Sequence, residues 1–158
     1  MLSGTVLKKG RVVPGVSFVD PSSGAEVNLW GFRQRVALVL AFLHGRCAAC
    51  RAFAEDLSAV RDDLDWADTR VHAVLPGPEE LPVPVLLDSG GAGTRRILGE
   101  DPELPVVLVV DRYGAASSSF PALGHRFPPA GEVAATAIHL AMQCPECGVS
   151  DWPDLDEQ

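Results

Sequence analysis

Val36-Ala-Leu-Val-Leu-Ala-Phe-Leu43, continuing as His44-Gly-Arg-Cys47-Ala-Ala-Cys50-Arg51 and Ala52-Phe-Ala-Glu-Asp-Leu57, is the stretch that decides the fold. Val36 to Leu43 is apolar without alternation, as a central strand covered on both faces must be. The run is too short to cross a bilayer. Beyond it, Cys50, Phe53, Leu57, Val60 and Leu64 recur at spacings of three and four, the stripe of one amphipathic helix. Cys47 therefore falls at the junction of strand and helix. A thiol there faces unpaired backbone N–H groups and the positive end of the helix dipole, which favour thiolate. Arg46 and Arg51 flank the pair and His44 lies just upstream, so these three are expected to support the thiolate. Cys50 shares the buried stripe, whereas Cys47 sits at the cap, where a partner can reach it. Cys47 is expected to attack and Cys50 to resolve the mixed disulfide. Half of a zinc site, or two small buried side chains, is the competing reading. Beside a strand–helix–strand pattern, however, this spacing is a redox signature.

Working outward, Ser17–Asp20 and Glu26–Leu29 read as short strands around the turn Pro21-Ser-Ser-Gly24. Val71–Leu75 and Val106–Val110 read as neighbours of the central strand. Asp111-Arg-Tyr-Gly114 reads as a hairpin turn into an edge strand. Thr94–Leu98 suggests a short helix between Gly93 and Gly99. A second apolar stripe, Val133, Ala137, Leu140 and Cys144, marks a terminal helix. Strands alternating with helices indicate an α/β class.

In this order the motifs resemble the redoxin branch of the thioredoxin superfamily, between thiol–disulfide reductases and peroxiredoxins of the AhpC/TSA type. The resemblance covers about Val13 to Met142. It rests on Pro14-x-x-x-Phe18 and Val27-x-Leu29, on Cys47-Ala-Ala-Cys50, on Val85-Leu-Leu-Asp88, and on Leu104-Pro105 running into Val106–Gly114. It implies a thioredoxin-like three-layer sandwich with a mixed central sheet and an N-terminal β-hairpin extension. It also implies that Pro105 is cis and faces the cysteine pair, joining Cys47 and Cys50 in the catalytic set.

The chain departs from thioredoxin in having Arg46 before the first cysteine and Ala48-Ala49 between the two. Ala41 stands where an acidic strand residue often assists proton transfer, and Glu55 and Asp56 are possible substitutes. Peroxiredoxins carry Pro-x-x-x-Thr-x-x-Cys here; aligned on Cys50, Leu43 and Cys47 replace the proline and threonine. Thiol–disulfide exchange is thus the leading expectation. A thiol peroxidase with Cys50 as the peroxidatic cysteine is the alternative, and a non-catalytic binding module with this fold comes next. The implied partners are a protein disulfide or peroxide substrate and an electron-donor thiol protein, without a cofactor.

The 158 residues suit one domain, 1–150, followed by an acidic tail, 151–158. With 21 acidic and 13 basic side chains the formal charge is −8, which argues against a nucleic-acid surface. No leader-like or membrane-spanning run is evident, so a cytoplasmic protein is expected, in which four cysteines serve chemistry more readily than cross-linking. Cys144-Pro-Glu-Cys147 is expected to close the last helix. It reads as an auxiliary dithiol, half of an intermolecular metal site, or a packing feature. The fold should hold it away from the first pair, so no shared four-cysteine zinc site is expected. His72, His125 and His139 look isolated and form no ligand set, so no metal is assigned. Gly90-Gly-Ala-Gly93 lacks the Lys and Ser or Thr of a phosphate loop and reads as a flexible loop.

Overall fold

A computed structural model describes residues 10–143. Its centre is β3 (Ala37–Phe42), every residue of which is buried. Around it lie β1 (Ser17–Val19), β2 (Glu26–Asn28), β4 (Thr69–Leu75), β5 (Val85–Leu87), β6 (Val106–Val110) and β7 (Ala116–Pro121). Together they form one mixed seven-stranded sheet in the order β2-β1-β5-β4-β3-β6-β7. β3 runs parallel to β4 and antiparallel to β6, and β4 runs parallel to β5. The N-terminal hairpin β1–β2 joins the sheet through β5.

The absence of alternation in β3 now has its cause. Val39, Ala41 and Leu43 enter one core with Phe53, Leu57, Leu64, Val133 and Ala137. Leu38, Leu40 and Phe42 enter the other with Phe18, Leu29, Ile97 and Leu98. The first core is roofed by α1 (Ala48–Ala59), α2 (Arg61–Trp66) and α4 (Ala130–Ala141), the second by α3 (Ala92–Leu98) and the hairpin side. Each large side chain so buried contributes about 1.5–3 kcal/mol of transfer free energy. This is the three-layer sandwich with a hairpin extension.

Three local expectations are corrected. The long helix after Cys47 is two helices, because Val60 leaves helical geometry at φ −105°, ψ 7°. The bend keeps Leu64 on the buried face, so the stripe continues across the break. The terminal helix ends at Ala141, before the second cysteine pair. The Gly90–Gly93 segment is ordered: a 3-10 turn over Ser89–Gly91 leads into α3, which already contains Gly93. The buried Asp88 carboxylate accepts the N–H groups of Gly93 (3.0 Å) and Thr94 (2.7 Å). A Cβ on Gly93 would lie 2.8 Å from the Phe18 ring, so this close helix–hairpin approach requires glycine. Among the described residues no helix is long and apolar enough to cross a membrane.

Candidate redox site

The chain leaves the buried end of β3 and must turn sharply to start α1. Arg46 makes the turn with a left-handed φ of 52°, and its N–H donates to Glu79 Oε1 at 2.7 Å. Cys47 follows in extended geometry as the N-cap of α1, its Sγ accepting the Cys50 N–H at 3.3 Å. A sulfur thus takes the place usually held by a Ser, Thr, Asp or Asn oxygen, satisfying one orphan donor of the first turn. Cys47 is partly exposed, whereas Cys50 is 2% exposed at the top of the core; both are free thiols. Burial pushes the Cys50 thiol up to about 12, and the neighbouring Cys47 sulfur and Glu79 carboxylate act in the same direction. Cys50 is therefore protonated at neutral pH until its proton is taken.

The Leu104–Pro105 bond is cis. Val106 pairs with Phe42, which places Pro105 at the same end of the sheet as the turn into α1. Its carbonyl accepts the Ala122 N–H at 2.9 Å, tying it to the segment that leads from β7 to α4.

That segment supplies a residue whose role the sequence reading missed. His125 sits in a 3-10 turn over Leu123–His125, at φ 62°, and its Nε2 lies 3.1 Å from His44 Nδ1. Phe127, two residues on, stacks on Phe53 of α1 at 4.5 Å between ring centroids, fixing the segment over the dithiol. Ligand atoms of His44, Cys47, Cys50 and His125 all lie within 4.8 Å of one another. The expectation that the histidines form no ligand set is thereby corrected for His125, and these four side chains are the group that can hold a metal. The pairing spans 81 residues and is made by the fold alone. A histidine in a loop just after the edge strand was the available signal.

The arginines stand differently from expectation. Arg51 donates to the Glu80 carbonyl at 2.9 Å and lies 3.6 Å from Glu79 Oε2, so its charge is shared with a carboxylate. Arg46 enters the site through its backbone. Glu79, in the loop after β4, is the second residue that sequence reasoning missed; its side chain is 18% exposed. Glu55 and Asp56 are solvent-exposed on α1, and Ala41 is fully buried between Ala73 and Val107. Cys144 and Cys147, with the 151–158 tail, lie outside the described residues.

No family model matches the chain. Over 116 residues it is 33% identical to the prostamide/prostaglandin F synthases of Bos taurus and Pongo abelii, covering 73% of this chain. The chain spans about half the length of these curated relatives, 54% and 55%. Among solved structures it is similar to a secreted thiol-disulfide isomerase from Corynebacterium glutamicum. That match has a TM-score of 0.69 and 20% identity, covering 83% of this chain and 86% of that one. It is also similar to peroxidoxin BcpB from Mycobacterium tuberculosis, with TM-score 0.70 and 15% identity, covering 87% and 99%. The sheet order, the two cores and these matches agree: the chain has a thioredoxin-like fold.

Proposed function

We propose that this protein is a thiol–disulfide oxidoreductase in which Cys47 attacks and Cys50 resolves. One observation carries the reading: an accessible sulfur caps α1 while its partner lies buried one turn inside, 2% exposed. The Cys47 thiolate attacks one sulfur of an oxidised partner and expels the other as a thiol, which takes up a proton. Cys50 then loses its proton, attacks Cys47 Sγ and expels the second thiol. Two electrons have moved to the partner, and an electron-donor thiol protein restores the dithiol. His44 and His125, close to both sulfurs, are suited to receive the Cys50 proton. Pro105 borders the same surface and presents an extended partner with backbone that lacks one N–H donor. The reading includes a reducing, cytoplasmic setting, in which free thiols persist.

A peroxidase using Cys50 is supported by the peroxidoxin likeness, but deep burial of a protonated Cys50 weighs against it. The names of the curated relatives add prostaglandin-type small molecules to the oxidised partners worth testing. The test is disulfide reduction against peroxide consumption on one preparation, with Cys50→Ser. Exchange predicts that this variant traps a mixed disulfide through Cys47. Rapid peroxide turnover that is lost in Cys50→Ser, without a trapped disulfide, would overturn the reading.

A further inference from the structure

We propose that His44, Cys47, Cys50 and His125 form a four-ligand Zn2+ site, so that the reduced dithiol can be closed by a metal ion. Two thiols and two imidazoles make a Cys2His2 group, which suits tetrahedral zinc. Two thiolates balance the charge of the cation, and neutral imidazoles complete the shell.

Zinc–sulfur bonds of about 2.3 Å and zinc–nitrogen bonds of about 2.0–2.1 Å place tetrahedral ligand atoms about 3.3–3.8 Å apart. The facing imidazole nitrogens are already 3.1 Å apart, and no pair among the four exceeds 4.8 Å. Closing the widest pair takes a shift of about 1–1.5 Å, which side-chain rotation supplies. The surroundings are also those of a ligand shell. The Cys50 N–H points at Cys47 Sγ, an orienting bond to a ligand sulfur, and the Phe53–Phe127 stack holds the His125 segment against α1.

All four positions would come from this chain, leaving none for water, so the site is closed rather than hydrolytic. Binding displaces both thiol protons: two Cys–SH and Zn2+ give the dithiolate complex and two H+. Oxidation reverses it. A substrate disulfide takes two electrons from the thiolates and two protons from solvent. The products are two substrate thiols, the Cys47–Cys50 disulfide and free Zn2+. Metal binding and disulfide exchange are therefore mutually exclusive, and zinc would hold the reduced protein inactive. The site stands on its own geometry and does not require the exchange reading.

The test uses the full chain with Cys144→Ser and Cys147→Ser, so that the second pair cannot take metal. Reduced protein is titrated with Zn2+ by calorimetry, and with Co2+ to read coordination by absorption. The expected result is one metal per chain and the thiolate charge-transfer and intense d–d bands of tetrahedral Co2+. The oxidised protein should not bind. Loss of a second-shell partner costs about 10–100-fold in affinity, so His125→Ala or His44→Ala should cost at least about 100-fold. Unchanged affinity in both histidine variants, a six-coordinate cobalt spectrum, or one metal per two chains would overturn the proposal. Should the variants misfold, the ring-nitrogen NMR signals of the unmutated histidines decide. Both His44 and His125 must shift at one equivalent of Zn2+, and a stationary signal from either overturns the site. Absence of reductase activity from the metal-free protein, with zinc binding intact, would count against the exchange reading alone.

Discussion

Two helices in this molecule follow parallel strands of the same sheet, α1 after a short turn and α3 after a 3-10 turn, and in each a side chain upstream accepts first-turn N–H groups, yet the two acceptors are opposites. At α3 the buried Asp88 carboxylate takes two N–H groups at 3.0 and 2.7 Å. At α1 the half-buried Cys47 sulfur takes one, at 3.3 Å. A carboxylate with two charge-assisted bonds, one to each oxygen, is a strong cap. A thiol is a weaker acceptor whose value rises as it becomes thiolate, so its capping is coupled to its reactivity. The same place in the fold is spent on stability at one site and on chemistry at the other.

The largest effect that can break this contrast is on rate. Cys47→Ser should lower disulfide exchange by on the order of a thousandfold or more. Ser is a better cap than a thiol, so urea unfolding should show stability unchanged or raised by up to about 1 kcal/mol. A variant that loses stability together with activity would mean that the sulfur is chiefly structural.

The strand between the two that feed these helices gives the next effect. His72 on β4 packs against Phe32, and its buried Nδ1 has no partner among the described residues. Burial first, then the Arg61 and Arg70 charges, lower its pKa from 6.5 to about 4. The folded state therefore keeps His72 neutral while the unfolded chain takes a proton below about 6.5. Stability from this group is complete above that pH and falls as pH drops, levelling off below about 4. The loss between pH 7 and pH 4 is at most about 3 kcal/mol. His72→Leu should flatten this part of the pH–stability curve. An unchanged curve would show that His72 titrates normally.

How much of this was legible follows the range of the interaction. The run Val36–Leu43 and the stripe from Cys50 to Leu64 are local patterns, and they located β3, α1 and the cap at Cys47. The break at Val60 was hidden because the bend preserves the buried face. Asp88 closes the strand motif Val85-Leu-Leu-Asp88, but its capping role depends on the chain folding back five and six residues later. His125 and Glu79 reach the dithiol from other loops, and no periodicity encodes such contacts.

Asp88→Ala sharpens the contrast from the other side. It leaves the buried N–H groups of Gly93 and Thr94 without an acceptor, which should cost about 2 kcal/mol of stability by urea unfolding. Exchange at 25 °C should be unchanged, because α3 packs against the core opposite α1. A matching fall in exchange rate would show that the two caps are coupled through the sheet.

The smallest effect concerns Glu79, which supports the reactive cap indirectly. Its Oε1 holds the Arg46 N–H at 2.7 Å while Oε2 faces Arg51 at 3.6 Å. Arg51 is half exposed, so that ion pair is worth little in solvent, and the Arg46 bond is the important one. It steadies a residue held at φ 52°, a left-handed geometry that costs a non-glycine residue on the order of 1 kcal/mol or more. Glu79→Gln keeps an oxygen acceptor for that N–H, so its stability should match wild type within about 0.5 kcal/mol. Glu79→Ala removes the acceptor and should cost about 1 kcal/mol, with exchange falling a few-fold as the turn before Cys47 loosens. If Gln and Ala lose the same amount, the carboxylate charge rather than the Arg46 bond supports the turn. The reactive cap would then depend on electrostatics where the Asp88 cap depends on hydrogen bonds.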